Sequence, residues 1–163
     1  MRFVKSWLLV SFIFAAAALA QTPQTTLPLP SPIGKAGVDF CADRTIPKVI
    51  VPINQSAAGP TTILAGVAGK SWYVCYLMMH NGTSATPQNV GLVEGTGTNC
   101  SVVSAGLYGG TTAATQPNMA GAEMLIMGNG LSTILVTATA GDNICYLAGG
   151  TTQFSGVIVA VNH

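Results

Sequence analysis

The sequence predicts an all-β fold, an antiparallel β-sandwich of jelly-roll type with about eight or nine strands. Three observations carry this. Only 7% of the residues are charged while 49% are hydrophobic, and Val, Ile, Thr and Gly dominate where helix formers are scarce, which favours strands joined by tight turns. Short apolar runs recur at near-regular spacing between turn signals. Four cysteines stand behind an N-terminal export signal, the pattern of a domain stapled by disulfides.

The chain has 163 residues, enough for one domain. Residues 1–20 read as a secretory signal peptide. Arg2 and Lys5 form a basic start, WLLVSFIFAAA (7–17) is the apolar stretch, and Ala18-Leu19-Ala20 is a small-x-small site that places cleavage between Ala20 and Gln21. The stretch is short for a membrane span, and no later segment is long enough, so the mature chain is expected to carry no span. Residues 21–37 (QTPQTTLPLPSPIGKAG) hold four prolines and no periodic pattern, so they are expected to form an extended arm or linker. The sandwich domain is expected over 38–163.

Strands are expected near 46–53, 61–66, 71–80, 88–95, 101–108, 122–127, 131–138, 143–148 and 154–162. Turns at Asn81-Gly82, Gly95-Thr96-Gly97, Gly109-Gly110, Gly128-Asn129-Gly130, Gly141-Asp142-Asn143 and Gly149-Gly150 separate them, each rich in residues that tolerate positive φ. Pro47 and Pro52 mark the first strand as an edge, because proline cannot donate to a ladder. Strand 71–80 is apolar on both faces: Trp72, Val74, Tyr76 and Met78 alternate with Tyr73, Cys75, Leu77 and Met79. Segments 122–127 and 154–161 share this property. One face fills the core and the other needs a cover. A homo-oligomer, with a trimer favoured, is the expected cover, with Met78, Met124 and Ile158 at or near the interface and the proline arm crossing it.

Two segments echo each other. Thr62-Ile63-Leu64 leads through Ala68-Gly69-Lys70 to Val74-Cys75-Tyr76-Leu77, and Thr133-Ile134-Leu135 leads through Ala140-Gly141-Asp142 to Ile144-Cys145-Tyr146-Leu147. The reading is one hairpin design used twice, with a cysteine on the inner face of each second strand. Four cysteines allow three pairings. If 71–80 and 88–95 form a hairpin, Cys75 meets Cys100 and Cys41 is left with Cys145, loops worth about 3.5 and almost 5 kcal/mol in chain entropy. Cys75–Cys145 would instead require the two repeats to face each other.

Candidate chemistry is sparse. His80 and His163 have no carboxylate or nucleophile at motif spacing. Asp39 and Asp43 flank Cys41 and supply too few oxygens for calcium. Glu94 and Glu123 are too far apart in sequence to be read as a glycosidase pair. No nucleophile elbow, zinc-helix or phosphate-loop motif occurs. No catalytic residue, cofactor or metal is therefore expected. Beyond the signal, Lys35, Arg44, Lys48 and Lys70 face Asp39, Asp43, Glu94, Glu123 and Asp142, a balance of −1. With no basic stripe, nucleic acid is not an expected partner. Asn54-Gln-Ser, Asn81-Gly-Thr and Asn99-Cys-Ser are glycosylation sequons.

The combination AGVAGKSWYVCYL, VGLVEGTGTNC, GDNICYLAGG and VIVAVN resembles a loose group of small Cys-paired β-sandwich proteins of phage and bacterial origin, some of them virion decoration, tail or surface components. The resemblance covers about Cys41 to Asn162 and brings no catalytic residues. The signal peptide departs from a virion protein assembled in the cytoplasm. The expected role is thus a secreted or cell-surface structural or interaction protein, non-enzymatic, placed in the periplasm, on the cell surface or outside the cell. One alternative is a carbohydrate-binding or adhesin module in which Trp72, Tyr73, Tyr108 or Tyr146 stacks on a glycan. Another is a virion decoration or tail component.

Overall fold

A computed structural model describes residues 38–82, 87–151 and 153–163. The signal segment and the arm fall outside the described residues. Ten strands run in chain order: β1 (Val49–Gln55), β2 (Gly59–Leu64), β3 (Trp72–Asn81), β4 (Gln88–Thr96), β5 (Val102–Tyr108), β6 (Asn118–Met119), β7 (Met124–Gly128), β8 (Leu135–Val136), β9 (Asn143–Ala148) and β10 (Phe154–Asn162). They form two antiparallel sheets. The first has the order β1-β10-β3-β7, with β8 also on β3. The second has the order β2-β9-β4-β5, with β6 also on β4. This interleaving of first and last strands is the jelly-roll arrangement.

The strands arise where expected because apolar alternation and turn glycines coincide. β1 is an edge strand, paired only with β10, and Pro52 sits in its middle opposite Val157. The expected strand 131–138 shortens to the two residues of β8, and β6 was not foreseen.

Sheet membership corrects the expected pairing. Strands β3 and β4 do not form a hairpin. They lie in opposite sheets, where β3 pairs with β10 and β4 pairs with β9. The disulfides change accordingly: Cys41 is bonded to Cys75, and Cys100 to Cys145. The expected pairs Cys75–Cys100 and Cys41–Cys145 are both wrong. Cys75 and Cys100 belong to structure on different sides of the sandwich, so no bond can join them.

Both cysteines of the echoed tetrapeptides face outward, which corrects their expected inner placement. The main core contains Trp72, Val74, Leu77 and Met79 of β3 together with Ile144 and Tyr146 of β9. Cys75 belongs instead to an outer cluster with Phe40, Cys41, Tyr73 and Val161. Cys145 belongs to another with Val93, Cys100 and Leu147. Alternation along β3 is broken by an irregularity at Cys75, where Tyr76 pairs with Val159 and Val74 with Ala160. The extra residue returns Leu77 to the core side and leaves Tyr76 outside.

The echo itself has a physical basis. Neither copy is a hairpin. The first copy passes from β2 in the second sheet to β3 in the first, and the second passes from β8 in the first sheet to β9 in the second. Each is an arch over the same end of the sandwich, and the two interlock. Gly141 N–H donates to Lys70 O at 2.8 Å, Thr137 N–H to Trp72 O at 3.0 Å, and Trp72 N–H to Thr137 Oγ1 at 2.9 Å. Gly66 N–H donates to Asn143 Oδ1 at 2.8 Å. Gly66 and Gly141 approach so closely that a Cβ at Gly66 would lie 1.8 Å from Gly141 O. Gly69 and Gly141 occupy the same place in the two copies, and both take positive φ, 74° and 91°.

Candidate functional site: an uncovered sheet face

Each disulfide fastens a covering segment to the outside of one sheet. On the first sheet, residues 38–46 lie over one end of β3 and β10. Phe40 packs edge-on against Tyr73 at 4.6 Å and stacks on His163 at 4.1 Å. Asp39 anchors the segment: its carboxylate accepts from Thr133 N–H at 3.0 Å and Thr133 Oγ1–H at 2.7 Å, and from Cys41 N–H at 3.0 Å. Burial pushes the Asp39 carboxyl up, but the bonds from Thr133, Cys41 and Ala42 together hold it below the usual range. On the second sheet, the one-turn segment Thr98–Cys100 covers Val93 and Leu147. There Asn99 Oδ1 accepts from Thr62 N–H at 3.2 Å, and Asn143 Nδ2–H donates to Gly97 O at 3.0 Å. Gln116, almost fully buried, lies over Gly91 of β4 and donates to Gly110 O.

The rest of the first sheet's outer face is uncovered among the described residues. Its register defines three rungs across four strands. Ile50, Val159, Tyr76 and Gly128 form the first. Pro52, Val157, Met78 and Ile126 form the second. Asn54, Ser155, His80 and Met124 form the third. None is an acid, a lysine or an arginine. Ile50 is 68% exposed, Met124 54% and Ile126 52%. With strands about 4.8 Å apart and rungs about 6.8 Å apart, the face measures roughly 350–400 Å² in projection. Its two apolar rungs and Met124 account for about 250–300 Å² of this, near the lower end of the largest apolar patch on a typical monomer.

Met78 and Met124 lie on this outer face. Ile158 does not: it is fully buried in the sandwich core, because β10 alternates Phe154, Ile158 and Ala160 inward. The expected stacking aromatics are also accounted for. Trp72 and Tyr146 are buried in the main core, and Trp72 Nε1–H donates to Ala65 O at 3.1 Å. Tyr73 is buried beneath Phe40, and Tyr108 packs half-buried against the main core. These four rings do not form an exposed coplanar pair. Sequence reasoning passed over Ile50 and Ile126, which flank the two methionines. Their alternation with core residues was visible, but which side lacked a cover was not.

Elsewhere the chemistry is limited. A cleft of about 660 Å³ beside the covering segment is lined by Val38, Phe40, Gly69, Ser71, Tyr73, Ala140 and His163. No group of three or more metal-ligating side chains occurs among the described residues. Asn81 is buried and its amide donates to Met119 O and Ala120 O, so its sequon is closed in the folded chain. Asn54 and Asn99 are exposed.

No protein-family model, curated protein or solved structure matches the chain. Two disulfides point to an oxidising, extracytoplasmic setting. No helix among the described residues is long and apolar enough to cross a membrane.

Proposed function

We propose that the protein is an exported, non-enzymatic structural or interaction subunit that associates with further copies of itself through the uncovered face of the first sheet. The supporting observation is the outer face of the first sheet, two apolar rungs and a third of Asn54, Ser155, His80 and Met124, which no described segment covers. A like face is its natural complement: its first two rungs are apolar, and it carries no acid, lysine or arginine that would steer a charged partner. Edge-to-edge pairing is disfavoured at β1, where Pro52 interrupts the donor row. The apolar part of two such faces is on the order of 550 Å², a gross gain of about 14 kcal/mol at 25 cal/mol per Å². Association entropy opposes this by roughly 4–15 kcal/mol. The area is below the about 1,600 Å² of a standard interface, so reversible association in the micromolar range is the expected strength; like face on like face closes as a pair, and the trimer favoured from the sequence would need a second contact surface.

The test is light scattering of the chain from Gln21 to His163 with both disulfides formed. The expected result is a mass that rises with concentration across the micromolar range to a fixed multiple of the monomer. A monomer at every concentration would sink the proposal.

A further inference from the structure

The end of the sandwich where the two arches interlock holds two buried acids. Glu94 is 1% exposed and Asp142 is 2% exposed, in a described chain with only three other acids. Both face inward at the same corner. Glu94 pairs with Ile144 in the β4–β9 ladder, which makes Asp142, two residues before Ile144, its diagonal neighbour, a spacing of about 7 Å that a glutamate side chain can bridge. Glu94 Oε2 accepts from Ala138 N–H at 2.7 Å. Asp142 Oδ2 is buried and has no hydrogen-bond partner. Asp142 is the one charged group acting on Glu94, and it acts repulsively. Lys70 contributes only its backbone carbonyl to the corner, to Gly141 N–H, and its side chain is exposed. Segment 137–139, which covers Glu94, carries no titratable side chain.

A buried carboxylate oxygen without a donor is costly, and two buried like charges without a cation are costlier. A single proton relieves both. We propose that Glu94 is held as the neutral acid and donates its O–H to Asp142 Oδ2, so that the corner joining the two sheets is a proton-closed latch. In this state the Glu94 carboxyl still accepts from the Ala138 and Thr139 N–H groups, and the orphaned oxygen is satisfied. Removing the proton leaves two facing carboxylates and loosens the arches.

The sign follows from linkage. Burial, the largest cause, outweighs the Ala138 and Thr139 N–H donors that pull the Glu94 carboxyl down and, with a smaller push from the Asp142 charge, raises it above its ordinary range. The folded chain thus holds a proton that the unfolded chain has lost. The stabilisation is complete below the ordinary glutamate range and is lost as pH rises through the raised value. Within that window the folded-to-unfolded ratio falls by up to tenfold per pH unit.

The experiment is urea unfolding of the disulfide-intact protein at intervals from pH 5 to pH 9, for the unaltered chain, Glu94→Gln and Asp142→Asn. Glutamine replaces the O–H by an amide donor and keeps the acceptor for Ala138. The unaltered protein should weaken as pH rises, Glu94→Gln should lose that dependence and be the more stable at the alkaline end, and Asp142→Asn should show a smaller slope. Exchange of the Ala138 amide in the unaltered protein is the second readout, and its protection should fall over the same window. Equal slopes for the unaltered chain and Glu94→Gln would overturn the proposal. So would constant Ala138 protection, or a rise in stability with millimolar calcium at pH 8, which would make the pair a cation site.

Discussion

Replacing Cys41 and Cys75 together by alanine tests how the covering segment is held. The bond closes a loop of 34 residues and the other a loop of 45. Chain entropy alone assigns about 3.8 kcal/mol to the first and about 4.0 kcal/mol to the second. The two double variants should therefore lose similar stability. At a slope of about 2 kcal/mol per molar urea, each loss moves the midpoint by roughly 2 M. Under the pairing Cys75–Cys100 with Cys41–Cys145, each double variant would break both bonds, and each would lose about 8 kcal/mol on the same scale. Losing Cys41–Cys75 has a second consequence. Phe40 and residues 38–46 can lift away, exposing Tyr73 and Val161, both now buried. The assay is urea unfolding followed by tryptophan fluorescence, because Trp72 lies in β3 three residues from the bond. Peptide mapping without reduction should yield Cys41–Cys75 and Cys100–Cys145 fragments. A midpoint change below about 0.3 M, or a Cys75–Cys100 fragment, would refute the reasoning.

Two further substitutions probe the interior. Gly66→Ala would drive a methyl group into Gly141 O, 1.8 Å from its ideal position. Since the obstacle is backbone of the opposing arch, a loss of about 3 kcal/mol or more is expected in thermal or urea unfolding, and a loss under 1 kcal/mol would mean the arches do not interlock. Tyr146→Phe removes a buried hydroxyl that has no partner and whose ionisation burial has pushed far upward. Its stability should be unchanged or higher by about 1 kcal/mol, whereas a clear loss would reveal a donor or acceptor for that oxygen.

Much of the secondary structure was legible because strand and turn signals agreed. Trp72–Asn81 and Asn143–Ala148 carry continuous apolar runs closed by Gly or Asn turns, and Pro52 marked β1 as an edge. What alternation cannot report is the partner of a strand. Consecutive strands in this chain mostly alternate between sheets, so the short connection from β3 to β4 was misleading, and the disulfide pairing inherited the error. The echoed Cys-Tyr-Leu segments were visible, but their meaning was inverted. The cysteines lie outside, one per sheet, at the positions where each covering segment is tied down. The irregularity at Cys75 exchanged the faces of Tyr76 and Leu77, and no local signal announces it. The need for a cover over β3 was readable from its two apolar faces. That Ile158 points inward while Ile50 and Ile126 point outward depends on register with β10 and β7, which only the assembled sheet fixes.

The uncovered face is tested most directly by placing one charge on it and an equal charge elsewhere. Ile126 is 52% exposed at the β7 edge of the middle rung of the face, and Val102 is 63% exposed on β5 of the second sheet. Neither Ile126→Lys nor Val102→Lys removes a core contact, so each should change stability by no more than about 0.5 kcal/mol. Sedimentation velocity at tens of micromolar should show the unaltered protein and Val102→Lys as the same oligomer and Ile126→Lys as a monomer. An Ile126→Lys protein that assembles like the unaltered chain would contradict the assignment of this face as the contact between copies.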